Sequence, residues 1–235
     1  MKKMNIKKLE WDSHFFGFEI AEANEVENDS ILIDLEKYNL IVLKQEQEQV
    51  VNIQGFKKTF QETKIIFSKN LDSKSTNIIE QSIIDFDENP TTNDLLYPLA
   101  FESGKYSRFR LDLNFNQEKF ELLYSKWIDN SINKEFADKI FYLKESDEVI
   151  GFVTVKNNQN FSTIGLIAVS ENYQGKGIGR ILLSNMEKYC VSQNIFELRI
   201  PTQKENIPAC NFYSKMNYHV NEEIIIKHYW NNNKH

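Results

Sequence analysis

A glycine-rich turn between a predicted strand and a predicted helix constrains the fold of this chain more than any other segment. Residues 164–169, before the turn, form a short apolar run rich in β-branched side chains, which is typical of a central strand. After the turn, apolar residues recur at helical spacing: Ile178, Ile181, Leu182, Met186 and Tyr189. The sequence therefore predicts a strand, a turn built on glycines, and an amphipathic helix.

This turn is suited to holding an anion, and a diphosphate in particular. Glycine lets the backbone approach a ligand closely and adopt positive φ, and the first amides of a helix have no partner within it. Each interaction of a charge with an exposed helix terminus contributes only about 0.3 to 1 kcal/mol, so several amides have to act together. Lys176 and Arg180 add positive side chains next to those amides.

The spacing of the glycines and the residues next to them distinguishes between the known kinds of phosphate-binding loop. A dinucleotide loop, G-x-G-x-x-G, needs glycine where Arg180 stands, although Glu197 lies near the distance of the ribose-binding acid, so this loop remains a less favoured alternative. A nucleoside-triphosphate loop needs Ser or Thr after its Gly-Lys pair, and it is excluded because Gly177 follows Lys176. The remaining pattern, Q-x-x-G-x-G at 174–179, resembles the acetyl-CoA loop of the GNAT superfamily of N-acyltransferases.

A second motif follows in the order that this resemblance requires. Residues 206–218, NIPACNFYSKMNY, resemble the family pattern N-x-x-A-x-x-F-Y-x-K-x-G-F/Y. Asn206 is a good helix N-cap, and Asn217 replaces the usual glycine with the next-best residue for a left-handed helix end. Between the motifs, residues 195–200 alternate apolar with charged side chains and predict a strand that ends at Pro201.

The resemblance implies an α+β fold, the GNAT acyltransferase fold, with a mixed, mostly antiparallel central sheet and helices on both faces. We place the catalytic GNAT domain at residues 89–235, because a polar break at 85–93 precedes a helical pattern. Residues 1–88 are expected to form a smaller α/β domain that resembles part of a GNAT fold. A strand at 40–43, a polar helix, and a glycine turn into a strand at 63–67 are its predicted elements. Its likeness to the C-terminal end suggests a weak internal repeat, and chance similarity of two short strands is the alternative.

Two further segments resemble one particular group of enzymes within the GNAT superfamily. Residues 9–17, LEWDSHFFG, and 106–110, YSRFR, resemble the dTDP-fucosamine N-acetyltransferases, which acetylate the 4-amino group of a dTDP-linked 4-amino-4,6-dideoxyhexose. This implies a homodimer, a nucleotide-sugar substrate and a role in surface polysaccharide biosynthesis, such as that of lipopolysaccharide O-antigen. Two alternatives stay open: a GNAT enzyme for another amine, such as an antibiotic, a small metabolite or a polypeptide N-terminus, and a non-catalytic CoA-binding regulatory module.

The resemblance also assigns acetyl-CoA as the co-substrate and Tyr213 as the general acid that protonates the leaving thiolate; a core tyrosine is the alternative. A cysteine acyl carrier at Cys210 is disfavoured, since the family transfers the acetyl group directly. No carboxylate stands at residues 161–168, where many relatives carry a base, so no base is assigned. The residues expected to hold acetyl-CoA are Ile167, Ala168, Val169, Gln174, Gly175, Lys176, Gly177, Ile178, Gly179, Arg180 and Asn206.

The segment Arg108-Phe109-Arg110 holds two of the four arginines in the chain. A guanidinium binds diphosphate oxygens with two parallel hydrogen bonds, and an adjacent aromatic ring can stack on a base or sugar. We therefore expect these three residues to bind the nucleotide-sugar substrate. The alternative is that the arginines pair with Glu102 or Asp112 on the surface, where such pairs contribute about 0 to 1 kcal/mol.

Composition excludes several other classes of protein. The net charge of −6 over 235 residues argues against nucleic acid as the main partner. No segment approaches the roughly 18 apolar residues of a membrane span, and no export signal follows the basic N-terminus, so a cytoplasmic enzyme without a membrane partner is expected. The two cysteines, Cys190 and Cys210, form neither a disulfide framework nor a metal cluster, so no metal is expected.

Overall fold

The computed structural model describes residues 3–26, 35–72 and 83–234. The chain divides into two compact units, and neither is a continuous segment. The first unit comprises Met1–Ile65, Gln203–Glu205 and Glu222–His235, and the second comprises Ile66–Thr202 and Asn206–Asn221. The predicted boundary between residues 88 and 89 lies inside the second unit.

The first unit is built on strands from both ends of the chain. Its elements are β1 (Lys3–Lys8), α1 (Glu10–Phe16), β2 (Ile20–Val26), β3 (Leu40–Gln45), the first part of β4 (Phe56–Asn70) and most of β10 (His219–Asn231). The strand order is β1-β2-β3-β10-β4. The pairs β1–β2 and β3–β10 are antiparallel, whereas β2–β3 is parallel.

An apolar cluster in the first unit packs strands from both ends of the chain together. Its buried members are Ala21, Ala23, Tyr38, Ile41, Leu43, Ile53, Phe56 and Tyr229. Ile41 lies opposite Tyr229 in the β3–β10 register, so strands far apart in sequence share one face of the core. The predicted strand at 40–43 is confirmed, but the predicted polar helix is wrong, since residues 46–55 contain no helix. Many of those residues are polar, so a helix there would have no apolar face to bury.

The second unit holds the remaining elements. In chain order they are the end of β4, β5 (Ile84–Asp85), a 3-10 helix (Asn93–Leu95), α2 (Tyr97–Ser103), α3 (Arg108–Leu111), α4 (Gln117–Ile132), β6 (Lys139–Glu145), β7 (Glu148–Asn157), β8 (Ser162–Val169), a second 3-10 helix (Glu171–Tyr173), α5 (Ile178–Ser192), β9 (Glu197–Gln203), α6 (Ile207–Lys215) and the start of β10.

The strand order in the second unit, β9-β8-β7-β6-β5, positions the glycine turn. β5 to β8 pair antiparallel, and β8 and β9 pair in parallel. Helix α5 packs on β6, β7 and β8, while α2 packs on β8 and α4. The predicted α+β class with a mixed, mostly antiparallel sheet is confirmed. None of the helices in the described residues is long and apolar enough to cross a membrane.

Candidate active site

The glycine turn has the geometry that its sequence predicts. β8 ends at Val169, the second 3-10 helix follows, and α5 begins at Ile178. Gly175 and Gly177 have φ of 77° and 86°, which is the left-handed region where a side chain is strained. Gly179 has a different reason for lacking a side chain, because a Cβ there would lie 3.3 Å from the ring of Phe212. The turn therefore needs glycine at 175 and 177 because of the backbone, whereas a side chain at 179 would have to displace the Phe212 ring.

The amides at the start of α5 are open. In the described part of the chain, no protein acceptor receives the main-chain N–H of Gly175, Gly177, Ile178, Gly179 or Arg180. The amide of Ile181 closes the first helical turn by donating to the Gly177 carbonyl at 3.1 Å. Open amides at a helix start attract negative charge, so the turn can hold a phosphate group without first breaking protein hydrogen bonds.

Side chains of the turn stabilise its shape. The Gln174 amide group donates to the Val169 carbonyl and to Glu102 Oε1, both at 3.2 Å. Gln174 therefore links the end of β8 to helix α2. The Lys176 ammonium lies 4.5 Å from the Tyr173 ring centre. A hydrogen bond to Glu145 raises the pKa of Tyr173 to about 12, so this tyrosine stays neutral at physiological pH.

Strand β8 separates from β9 near its own start, so most of its length up to the turn is not paired with β9. The parallel pairing covers only Ser162 with Leu198 and Thr163 with Arg199. β9 continues through Pro201 to Gln203, so the prediction that Pro201 ends this strand is wrong. Proline lacks an N–H, and it is tolerated here because the ladder with β8 has already ended at Arg199. The edge of β8 beyond Thr163 is thus not paired with β9.

The register of the β7–β8 ladder determines which amides face this open edge. The Ser170 amide donates to the Ile150 carbonyl at 2.9 Å, so hydrogen-bonded pairs alternate at Ser170 and Ala168. The amides of Ile167 and Val169 consequently point away from β7. They are two of the backbone donors expected to hold the pantetheine and acetyl group, whereas Ala168 pairs with Phe152.

A buried threonine stabilises an irregularity in the β7–β8 ladder. The β7–β8 ladder shifts between Val153 and Val155, and the hydroxyl of the intervening Thr154 accepts the Leu166 amide at 2.9 Å. Thr154 is buried, and a Cβ at Gly165 would lie 2.9 Å from its hydroxyl. Thr154 was not a sequence candidate. Its only sequence signal is a polar residue inside the buried run of β7.

Tyr213 lies on the buried face of α6 and is 5% exposed. Its ring centre is 5.5 Å from those of Phe67 and Phe212. Burial raises the pKa of the Tyr213 hydroxyl above its ordinary value, so the group carries its proton at neutral pH. In the described residues this hydroxyl has no protein hydrogen-bond partner. Its position fits both the predicted general acid and the core-tyrosine alternative.

Tyr218 lies beside Tyr213 and differs from it in having a hydrogen-bond partner for its hydroxyl. The Tyr218 hydroxyl donates to Glu187 Oε1 at 3.0 Å, and Glu187 also accepts from Lys69 at 2.8 Å. Burial and the charge of Glu187 raise the pKa of Tyr218. This hydrogen bond ties the end of α6 to α5. The left-handed Asn217 before it, with φ of 64°, confirms the predicted helix end.

Asn206 caps α6 as the sequence predicts. Its side-chain oxygen accepts the Ala209 amide at 3.3 Å, and its NH₂ group lies 3.4 Å from the Thr202 hydroxyl. Both ends of this side chain therefore have protein partners. The role of Asn206 as a donor to the acetyl group stays a prediction.

The arginine segment forms the short helix α3, and its three residues have different surroundings. Phe109 is 9% exposed and packs against Phe115 and Trp127, so its ring fills the core and is not available for the predicted stacking on a base or sugar. Arg108 is half-buried with its guanidinium over the Phe109 ring, whereas Arg110 is exposed. No ion pair joins either arginine to an acid in the described part of the chain.

Comparison with known proteins agrees with this geometry. Residues 105–218 match the model of the acetyltransferase (GNAT) family. The spore coat polysaccharide biosynthesis protein SpsD of Bacillus subtilis is 25% identical over 141 residues, which are 60% of this chain and 48% of SpsD. Streptothricin acetyltransferase A of the same organism is 28% identical over 127 residues, 51% of this chain and 68% of that protein. The chain thus spans about half the length of SpsD and about two thirds of the second relative.

A solved structure extends the likeness to the fold. The crystal structure of a GCN5-related N-acetyltransferase from Sphaerobacter thermophilus superposes with a TM-score of 0.58 at 10% identity, over 96% of this chain and 76% of that one. The GNAT fold predicted from the two motifs is confirmed. Residues 105–218 are thus similar to the acetyltransferase (GNAT) family.

Proposed function

We propose that this chain uses its GNAT domain to transfer an acetyl group from acetyl-CoA to an amine. The observation that carries the proposal is the set of open amides at residues 175 and 177–180, next to a strand whose edge beyond Thr163 is not paired with β9. A carrier whose phosphates bind at the turn has its pantetheine arm running along that edge. The turn and the edge together accept the two chemically distinct parts of acetyl-CoA.

The chemistry follows from these groups. The neutral amine attacks the thioester carbon, and the carbonyl oxygen becomes an oxyanion. The nitrogen then releases its extra proton to water, and collapse of the oxyanion breaks the carbon–sulfur bond and expels CoA as a thiolate. The amides of Ile167 and Val169 are the donors proposed for the carbonyl oxygen, and donors fixed in advance stabilise developing charge most effectively. Tyr213 is the proposed acid for the thiolate. Alignment of amine and thioester supplies a further large part of the rate.

For the acceptor we propose the 4-amino group of a dTDP-linked 4-amino-4,6-dideoxyhexose, in the synthesis of a surface polysaccharide. The likeness of residues 9–17 and 106–110 to dTDP-fucosamine N-acetyltransferases supports this proposal. The relative SpsD, a polysaccharide biosynthesis protein, supports the sugar class but covers 60% of this chain. A cytoplasmic homodimer belongs to the same proposal.

A second acceptor class has its own support. Streptothricin acetyltransferase A, by its name, acetylates streptothricin, and its match covers 68% of that protein. An amine of an antibiotic or a small metabolite is therefore the second candidate.

Thiol release from acetyl-CoA measures the transfer directly. The assay compares dTDP-linked 4-amino sugars, the same amino sugars without the nucleotide, streptothricin and simple amines. We expect the highest kcat/KM with a dTDP-linked sugar. Release that prefers streptothricin would favour the second candidate. Acetyl-CoA binding without release for any acceptor would contradict an enzymatic role and favour the regulatory module.

A further inference from the structure

Two adjacent residues in the turn between α2 and α3 have buried polar atoms without partners. Ser107 is 5% exposed and its hydroxyl makes no hydrogen bond, and Nη1 of the neighbouring Arg108 is buried and also makes none. Neither residue has another protein hydrogen bond or ion pair through its side chain in the described residues. The guanidinium carbon of Arg108 lies 4.6 Å from the centre of the Phe109 ring.

This arrangement is unfavourable for a protein without a ligand. A buried polar group that lacks a partner costs roughly 1 to 3 kcal/mol, and a buried charge costs more. Guanidinium pairs best with a planar or tetrahedral oxyanion, and a hydroxyl can donate to the same group. An anion with at least two oxygens could accept from both groups.

The turn that carries these residues is held in place. The Ser107 amide donates to the Gly104 carbonyl at 2.8 Å, and a Cβ at Gly104 would overlap the ring of Tyr124. Helix α2, immediately before the turn, packs on β8, the strand proposed to hold the acetyl group. An anion at Ser107 and Arg108 would thus be bound by a rigid segment joined to the helix beside that strand.

We propose that Ser107 and Arg108 form a binding site for the diphosphate of the acceptor. This rests on the proposed function, in which the acceptor is a nucleotide sugar. The site differs from the glycine turn, which is proposed to bind the phosphates of CoA. Ser107 is not among the substrate-binding residues predicted from the sequence. Arg108 supplies the positive charge of the site, and its guanidinium lies over the Phe109 ring.

Binding of dTDP in the presence of saturating CoA tests the site, because CoA then occupies the glycine turn. We expect Arg108→Gln to raise the dissociation constant of dTDP about 10- to 100-fold, and Ser107→Ala to raise it about 2- to 10-fold, as for the loss of a charged and a neutral hydrogen bond. The matched control is Lys126→Gln, which removes one exposed positive charge from α4 and should leave dTDP binding unchanged. Equal dTDP affinity in Arg108→Gln and wild type would overturn the proposal, and so would a loss confined to CoA.

Thermal stability separates a ligand-binding arginine from a structural one. Because Arg108 has an unpartnered buried atom, Arg108→Met should keep or raise the Tm of the free protein while abolishing the increase in Tm that dTDP causes in wild type. A structural arginine predicts the reverse, with a lower Tm for the variant and an unchanged response to dTDP.

The same variants show which proposal fails. If dTDP binding depends on Arg108 but no dTDP-amino sugar is acetylated, the acceptor assignment is wrong and the anion site stands. If Arg108→Gln acetylates a dTDP-amino sugar with the kcat/KM of wild type, the function stands and the site is wrong.

Discussion

The role of a single hydroxyl can be tested at Tyr213. A positioned general acid typically contributes about 10²- to 10⁴-fold, so Tyr213→Phe should lower kcat by that range while the KM for acetyl-CoA stays nearly constant. Because burial raises the pKa of Tyr213, its proton should be retained up to at least the ordinary tyrosine value near 10. The wild-type kcat profile should therefore show no alkaline loss from this group below about pH 10.

Tyr218→Phe is the matched control. It removes a buried hydroxyl that is bonded to Glu187, so it should lower Tm and leave kcat close to that of wild type. If Tyr213→Phe instead behaves like this control, with reduced stability and an unchanged kcat, Tyr213 is a core residue.

At the scale of the element, the glycine turn can be tested by comparing one of its left-handed glycines with a left-handed glycine elsewhere in the chain. Gly177 and Gly55 have φ of 86° and 83°, and a Cβ at either meets no atom within 4 Å. Alanine at either position should destabilise the fold by roughly 1 to 2 kcal/mol through the same backbone strain. Only Gly177→Ala should also raise the KM for acetyl-CoA, since Gly55 lies in the first unit. Equal effects of the two variants on this KM would contradict a phosphate site at the turn.

The β7–β8 irregularity gives a second prediction at this scale. Thr154→Val removes the acceptor of the Leu166 amide at nearly constant volume and leaves that amide unpaired. We expect several-fold weaker CoA binding by calorimetry, because the amides of Ile167 and Val169 lose their fixed direction. Thr154→Ser keeps the hydroxyl and should bind CoA within about twofold of wild type. Identical CoA binding by the valine and serine variants would show that the hydroxyl does not position the strand.

For the whole molecule, the discontinuous units predict how fragments behave. Residues 1–88 lack β10, which pairs with β3 along Leu40–Gln45 and contributes Tyr229 to the core. We expect this fragment to be unfolded by circular dichroism, since β3 would lose one of its two neighbouring strands. Joining residues 222–235 to it through a flexible linker should restore strand signal and slow amide exchange at Ile41 and Leu43. A cooperatively folded fragment 1–88 would contradict the observed division.

The local sequence pattern was sufficient to predict those elements whose conformation is determined by residues close together in the chain. The glycines at 175–179, the apolar face of α5 and the capping residues of α6 each act through backbone conformation or helical periodicity, so a short stretch of sequence predicted them. The Gly-x-Gly spacing with Gln174 and the second motif also predicted the GNAT fold. The strand end at Pro201 was missed because the tolerance for proline depends on where a neighbouring strand stops pairing.

The sequence by itself determined the glycine turn, the two motif helices and the class of fold, because these depend on residues close together in the chain. Only the tertiary structure decided that β8 leaves β9 after Thr163 and that, within the described residues, the amides of the turn, the Ser107 hydroxyl and Nη1 of Arg108 have no protein hydrogen bond. Those properties depend on which groups from distant segments come within hydrogen-bond distance. The physical reason is that a donor is free or satisfied according to its neighbours in space, and sequence spacing does not specify them.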